Sequence, residues 1–500
     1  MAAPTRATDV LVIGGGGSGL AAAVSAAQHG ARVLLAEKQP RLGGSTALSV
    51  GSITAAGTRL QARAGVQDSV PDFVEDMVAF KPALLTGDAP ALRELLARES
   101  AATVAWLESL GVALVGPYPE APHRVSRMHN VVPSSRAYIA RLADAARRHK
   151  VEVLLSTEVA ELVRDASGAV TGAVLRTPTG DVTVEARHGV VLASGDFSGN
   201  PKMRHEHLSP AAAAAHPINP YANGDGHRLA AEVGAAWRRM DVTFGPQLRF
   251  APPQRPGLVS RLPTWRWLCK AEAFLVQRLP ASALRPFVKS LLITHTSPAA
   301  TLFAHGAILV NNAGERFCDE KESVAPLSSQ DGGRGYIVFD AGIAAAFNRP
   351  PNAISTAPGI AFAYFDDYRR GRPDLVFQAD TATELAERIG VDPAALAESV
   401  RQGALGTPLV AMGPVHSMLT VTEGGLAVDD ELRVLDTSDV PIPGLYAVGG
   451  VGQGGMLLLG HGHHIAWAMT SGRLAGRALA RANAGGDGRA SGGRAGRHAT

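Results

Sequence analysis

The segment TDVLVIGGGGSGLAAAVSAAQHGARVLLAEK, Thr8 to Lys38, decides the fold. Val, Leu and Ile crowd its start, alanines follow the glycines, and a second apolar run ends on Glu37. This order reads as strand, tight turn, helix and strand, a complete βαβ unit. The turn carries Gly14-x-Gly16-x-x-Gly19, and Glu37 stands eighteen positions beyond the last glycine. Glycines let the backbone turn sharply and bring N–H groups and the positive end of a helix against a pyrophosphate, while an acid at that distance accepts from ribose hydroxyls. A glycine-rich turn in some other α/β fold would not require strand, helix and acid together.

Two more buried strands end on glycines, in GVVLASGDFSGNP (Gly189–Pro201) and PIPGLYAVGGVGQGG (Pro441–Gly455), and the small residues GGSTALSVGSI (Gly43–Ile53) follow the acid. A nicotinamide enzyme usually continues as alternating strands and helices. Glycine-ended strands spread over the whole chain fit a longer cofactor, FAD. No second G-x-G-x-x-G follows a strand, so a dedicated NAD(P)H domain is not expected and the electron acceptor is left unidentified.

A chain of 500 residues, 46% apolar, can bury a large core and divides into two or three domains. Cys269 and Cys318 are too few and too far apart for a disulfide framework or a cysteine zinc site, which points to a reducing, cytoplasmic setting. The first residues lead straight into a strand without the pattern of a signal peptide, and no run of eighteen apolar residues predicts a membrane-spanning helix. A net charge of +3 gives no footprint for nucleic acid. The tail 485–500, rich in Gly, Arg and Ser, is expected to be disordered.

VIGGGGSGLAAAV, GGST, VVLASGDFSGNP, ANGDGHRLAAEVGA, GAILVNNAGERFCDE, TEGGLAVD and PIPGLYAVGG occur in one order over most of residues 8–480. In this the chain resembles the flavoprotein family of fumarate reductase, succinate dehydrogenase and 3-ketosteroid dehydrogenases. The resemblance implies an α/β, Rossmann-like (glutathione reductase type) FAD-binding domain split between residues 1–242 and 423–484. An α+β capping domain, 243–422, is inserted between the halves and traps substrate at the seam. Thr381-x-x-Glu384 and Asp392-Pro393 are helix starts within that cap.

By similarity, Gly14, Gly15, Gly16, Gly17, Ser18, Gly19, Glu37 and Lys38 take the ADP half of FAD, and Gly44, Ser45, Thr46 and Gly51 the pyrophosphate and ribityl side. Val159 meets adenine through its backbone, and Ser194, Gly195, Asp225 and Gly449 match further family contacts. Many members carry an acid where this chain has Gly450. Members that bind FAD covalently do so through a histidine beside the GG[ST] turn. None lies between Glu37 and Val66, so FAD is expected to be noncovalent.

The dicarboxylate branch of the family holds substrate with arginines and histidines. Its proton-donating arginine falls here at Val324, its histidine before the T-M-G-G turn at Val421, its cap histidine near Pro246, and its last arginine within MLLLGHGHH. Between Ala251 and Ser290 the chain instead carries seven basic residues, one acid and an apolar helical face at Leu284, Phe287, Val288, Leu291 and Leu292. Two readings of window 251–290 stand: a lid on the cap, or a basic amphipathic segment for peripheral contact with a membrane surface. Either suits an apolar, ketosteroid-like or enone substrate better than a small acid.

GHGHHIAWAM, Gly460–Met469, aligns with the family's last glycine loop and helix, whose N-terminal amides meet the flavin pyrimidine ring. On that basis His464 and Ile465 contribute amides, while His461 or His463 faces substrate as an acid/base, a role that suits imidazole near neutral pH. A metal site would need further ligands that are not nearby, so none is expected, and a structural role for the trio stays open. His305, before GAILVN, and Tyr118 are the other catalytic candidates. The expected activity is FAD-dependent interconversion of C–C single and double bonds next to a carbonyl. The alternatives are a reductase of a small unsaturated acid and a catalytically silent flavin electron carrier.

Overall fold

The computed structural model describes residues 5–84, 87–253, 262–279, 293, 297–357 and 361–481. Strands β1 (Thr5–Ile13) and β2 (Val33–Ala36) lie parallel, with Ile13 opposite Ala36. They join β3 (Glu152–Leu154), β4 (Gly180–Leu192), β5 (Arg433–Leu435) and β6 (Pro441–Ala447) in the order β5-β6-β4-β1-β2-β3. Every neighbour in this row is parallel except β5 on β6. Val10, Leu11 and Val12 are fully buried, the uninterrupted apolar run that a parallel strand covered on both faces demands. The result is an α/β, Rossmann-like architecture whose sheet draws its strands from both ends of the chain.

Helix α1 (Gly17–Gln28) joins β1 to β2, and the short α2 (Gly44–Leu48) follows β2. Helix α3 (Arg266–Arg278) lies within the basic window, and α4 (His463–Arg481) closes the described chain. α4 runs against α1 so closely that side chains are excluded at two points. A Cβ on Gly472 would sit 2.3 Å from the Ser18 carbonyl oxygen, and one on Gly476 2.2 Å from that of Ala22. The facing Ala21, Ala22, Ala23 and Ala26 of α1 are buried.

A second, six-stranded sheet surrounds the long strand Leu409–Leu419. Its period-two pattern feeds two cores: Leu309, Ile337, Phe339 and Met412 on one face, Ile308, Val310, Tyr336 and Ala411 on the other. The expected helix starts form there, with Thr381 Oγ1 accepting from the Glu384 amide at 3.2 Å and Asp392 Oδ1 from that of Ala395 at 2.8 Å. Glu384 reaches back to the Asp380 amide rather than to Thr381, so the capping box is displaced by one residue.

A small antiparallel sheet, Ser52–Thr54, Met128–Val131 and Leu114–Tyr118, connects the region after α2 to the segment around residue 120. The apolar helical face at Leu284–Leu292 and the tail 485–500 lie outside the described residues. The helix described in the basic window is α3, upstream of that face. Among the described residues no helix is long and apolar enough to cross a membrane.

Replacing Gly472 with valine forces α4 off α1 and is expected to remove on the order of 1–3 kcal/mol of stability. Differential scanning calorimetry measures it; an unchanged melting temperature would contradict the close contact.

Candidate functional site

The nucleotide turn is braced by the acid that follows it. Glu37 Oε2 accepts from the Gly15 amide at 2.6 Å and Oε1 from Gln39 at 2.8 Å. Gly16 is the N-cap of α1 and offers no side chain to its first turn. The Gly17 amide donates to Thr46 Oγ1 at 3.3 Å, and Gly16 bridges to Gly43, so the open N-termini of α1 and α2 stand side by side. A Cβ on Gly16 would meet nothing nearer than Gly44 at 3.9 Å. Paired amide-lined helix starts with a bare groove between them fit the pyrophosphate of FAD.

Other expected contacts gather around this cradle. Lys38 pairs with Asp225. Ser194, followed by Gly195, accepts through Oγ from the Gly226 amide at 3.0 Å, and the Val159 carbonyl accepts from Arg228 at 3.4 Å. Ser45 Oγ accepts from Asn219 at 2.8 Å, the Gly51 carbonyl from the Tyr138 hydroxyl at 3.1 Å, and the Gly449 amide donates to Ser471 at 3.0 Å. Gly450 lies against Asp196, a buried carboxyl that burial pushes up, so an acid does stand beside this glycine.

The histidines before α4 separate into three environments. His461 is exposed, at 59% of its side chain, yet its Nδ1 pairs with the buried Glu120, which also accepts from the His461 amide at 2.8 Å. Thr54 Oγ1 donates to the His461 carbonyl at 2.6 Å, fastening this loop to the small sheet. The second Glu120 oxygen is buried without a partner. A carboxylate on Nδ1 fixes the imidazole and presents Nε2 outward, the arrangement of a positioned acid/base.

His463 is buried between Phe73 and Phe80. Its Nδ1 accepts from the Gly460 amide at 3.2 Å and its Nε2 lies 3.0 Å from Nε2 of His123, so both nitrogens are occupied. Burial first, then the neighbouring cations, pushes its imidazole well below the ordinary range. A Cβ on Gly460 would lie 2.4 Å from the His463 ring, so the loop and this ring are packed as one unit. His123 in turn meets Arg127 at 3.0 Å, and the fully buried Arg127 bridges Asp68, at 2.6 Å, and Asp76.

His464 faces the opposite way. Burial alone lowers its imidazole, but Glu423, with Oε1 3.0 Å from Nε2, outweighs that and holds it above its ordinary value. Among the described residues the His464 and Ile465 amides donate to no backbone acceptor, leaving the first turn of α4 open. Tyr118 is half-buried, and burial raises its hydroxyl. His305 bonds to Thr301 at 2.8 Å and packs on Phe347, both within the second sheet's surroundings, and among the described residues no contact joins it to His461. Glu120, Glu423 and Asp196 escaped the sequence reading. Glu423 sits inside the recognisable TEGG, whereas Glu120 belongs to no motif.

The FAD binding domain family model matches residues 9–264 and 265–459. A probable fumarate reductase of Shewanella frigidimarina is 29% identical, over 95% of this chain and 75% of that one. The open conformation of a flavocytochrome c3 fumarate reductase superposes with a TM-score of 0.72 at 26% identity, covering 96% and 79%. The 3-ketosteroid delta1-dehydrogenase of Sterolibacterium denitrificans shares the fold, with a TM-score of 0.66 at 21% identity over 95% and 100%.

Burial lowers His123, His129 and His227 to about 4. Unfolded imidazoles titrate near 6.5, so between pH 6.5 and 4 the unfolded chain binds the extra protons. Stability is therefore complete above pH 6.5 and falls toward pH 4, by up to about 3 kcal/mol per ring. Urea midpoints across this range test it, with His129→Gln reducing the slope; a flat profile contradicts it.

Proposed function

Because this chain belongs to the FAD-binding-domain family of flavoproteins, we propose that it is an oxidoreductase interconverting a C–C single and double bond next to a carbonyl, with His461 as its acid/base. The observation that carries this reading is the Glu120–His461 pair: an exposed imidazole oriented by a buried carboxylate, on the loop that opens α4. FAD, when bound, exchanges a hydride with one substrate carbon. His461 Nε2 moves the proton at the neighbouring carbon, accepting it in dehydrogenation and donating it in reduction. Glu120 holds the Nδ1 proton and so fixes which nitrogen faces substrate. The amides of His464 and Ile465, beside the imidazole held by Glu423, favour negative charge at the start of α4.

An apolar, ketosteroid-like substrate fits the side chains at the positions where the dicarboxylate branch carries its anchors. Val324 packs on an apolar core, and Val421 and Pro246 are half-buried beside Phe244, whose ring lies edge-on to His464. The last anchor position, within MLLLGHGHH, holds leucine or glycine and no cation before His461. A reductase of a small unsaturated acid is the second reading, and one observation favours it. Arg249 and Arg334 flank His416 in register across three strands, while burial, His216 and Arg334 push the His416 imidazole down. Guanidinium groups beside a histidine are the side chains that hold a carboxylate.

Anaerobic absorbance titration separates the two. Bleaching of the flavin band by a 3-ketosteroid, and not by succinate, is expected. His461→Ala should slow it by roughly 10²–10⁴-fold with FAD content retained, and Glu120→Gln by less. Bleaching by succinate alone selects the second reading, and an unaffected His461→Ala rate removes His461 from the reaction.

A further inference from the structure

Helix α3 has two unlike faces. Inward, Cys269 is 1% exposed and Ala273 and Val276 pack on the main core. The Arg266 side chain lies over Gly111, and Gln277 donates to the Leu114 carbonyl at 3.4 Å. These contacts fix the helix on the small sheet. Outward, Trp267, Lys270, Phe274, Leu275 and Arg278 recur at helical spacing, a stripe about 16 Å long at 1.5 Å per residue.

That stripe is unusually apolar for a surface. Trp265 and Trp267 stack with ring centroids 5.9 Å apart and are 58% and 66% exposed; Phe274 is 58% exposed. Five of the eleven large apolar side chains exposed among the described residues fall between Trp265 and Leu279, so this is a patch and not scatter. Its charge is of one sign. Arg266, Lys270 and Arg278 are exposed, and the only acid of the helix, Glu272, is half-buried. The Arg278 guanidinium stands 5.0 Å over the Phe274 ring, placing a cation at the edge of the apolar row.

Rings interleaved with cations need a partner that offers apolar depth and negative charge together. A protein groove would have to supply carboxylates opposite Lys270 and Arg278 and desolvate both. The interface of an anionic bilayer supplies phosphates at headgroup level and the acyl boundary just beneath, and indoles favour that layer. We propose that α3 docks the protein on an anionic lipid surface, with Trp265, Trp267 and Phe274 at headgroup depth and Lys270 and Arg278 on lipid phosphates. The docking is independent of which substrate is turned over.

The test uses full-length, FAD-loaded protein sedimented with vesicles of phosphatidylcholine alone or mixed with phosphatidylglycerol. Binding to the anionic vesicles only, weakened by salt, is expected. Replacing Lys270 and Arg278 together by Gln should lower partitioning roughly thirtyfold, each basic head being worth on the order of fivefold there. Replacing Trp265, Trp267 and Phe274 by Ser should abolish it, with FAD content and melting temperature unchanged. Three outcomes overturn the proposal: no anionic-vesicle binding, binding that survives both variants, or an oligomer in solution that the Ser variant dissociates, which would make a second copy the occupant.

Discussion

The structure depends on the contact between α1 and α4. One helix comes from the start of the chain and the other from its end, and they meet where Gly472 and Gly476 expose bare backbone to the alanines of α1. That contact places the nucleotide turn beside the last glycine loop, although more than four hundred residues separate them. The intervening chain is free to build its own sheet and core, as long as it returns β6 to lie against β4. The neighbourhood of the nucleotide turn and the histidine loop is therefore a product of contact between two distant segments and not of any one contiguous one.

Charge is then arranged around the start of α4 in two layers. Beneath the loop, Arg127 is buried between Asp68 and Asp76, an arrangement whose desolvation is expensive and whose value is geometric. Its rigidity passes through His123 to His463 and so to Gly460. On the opposite side, Glu423 keeps His464 biased toward its charged form, and Asp196 is biased toward its neutral one. The exposed His461 stands between a neutral aromatic floor and this ionic wall.

How much of this was legible in the sequence depended on distance along the chain. The Gly14–Gly19 turn and Glu37 announced themselves because strand, helix and acid are local, and capping at Thr381 and Asp392 for the same reason. The three histidines drew attention as a cluster, but their division of labour did not, since each is decided by a partner far away: Glu120 for His461, His123 for His463, Glu423 for His464. Glu120 lies in a loop of ordinary composition, 341 positions from its partner. The basic window was read as amphipathic over Leu284–Leu292. Trp265 and Trp267 are legible in the sequence as interfacial aromatics of that window, but the rest of the α3 stripe is not, because its polar and apolar residues share one face and apolar periodicity alone does not reveal it.

The two buried imidazoles also have an arithmetic of their own. Arg127 and the Gly460 amide each donate, one to His123 and one to His463, and the rings face each other through Nε2. Three of the four ring nitrogens would have to be lone pairs, yet two neutral imidazoles supply only two. One junction is always a proton too rich. The pair thus has three tautomeric patterns, with the mismatch at the Arg127 end, between the two Nε2 atoms or at the Gly460 amide. Moving between them shifts protons along the row with no change in net charge. The floor of the site therefore carries one unmet demand for a lone pair, and the tautomers of His123 and His463 decide whether it falls at Arg127, between the rings or at the Gly460 loop.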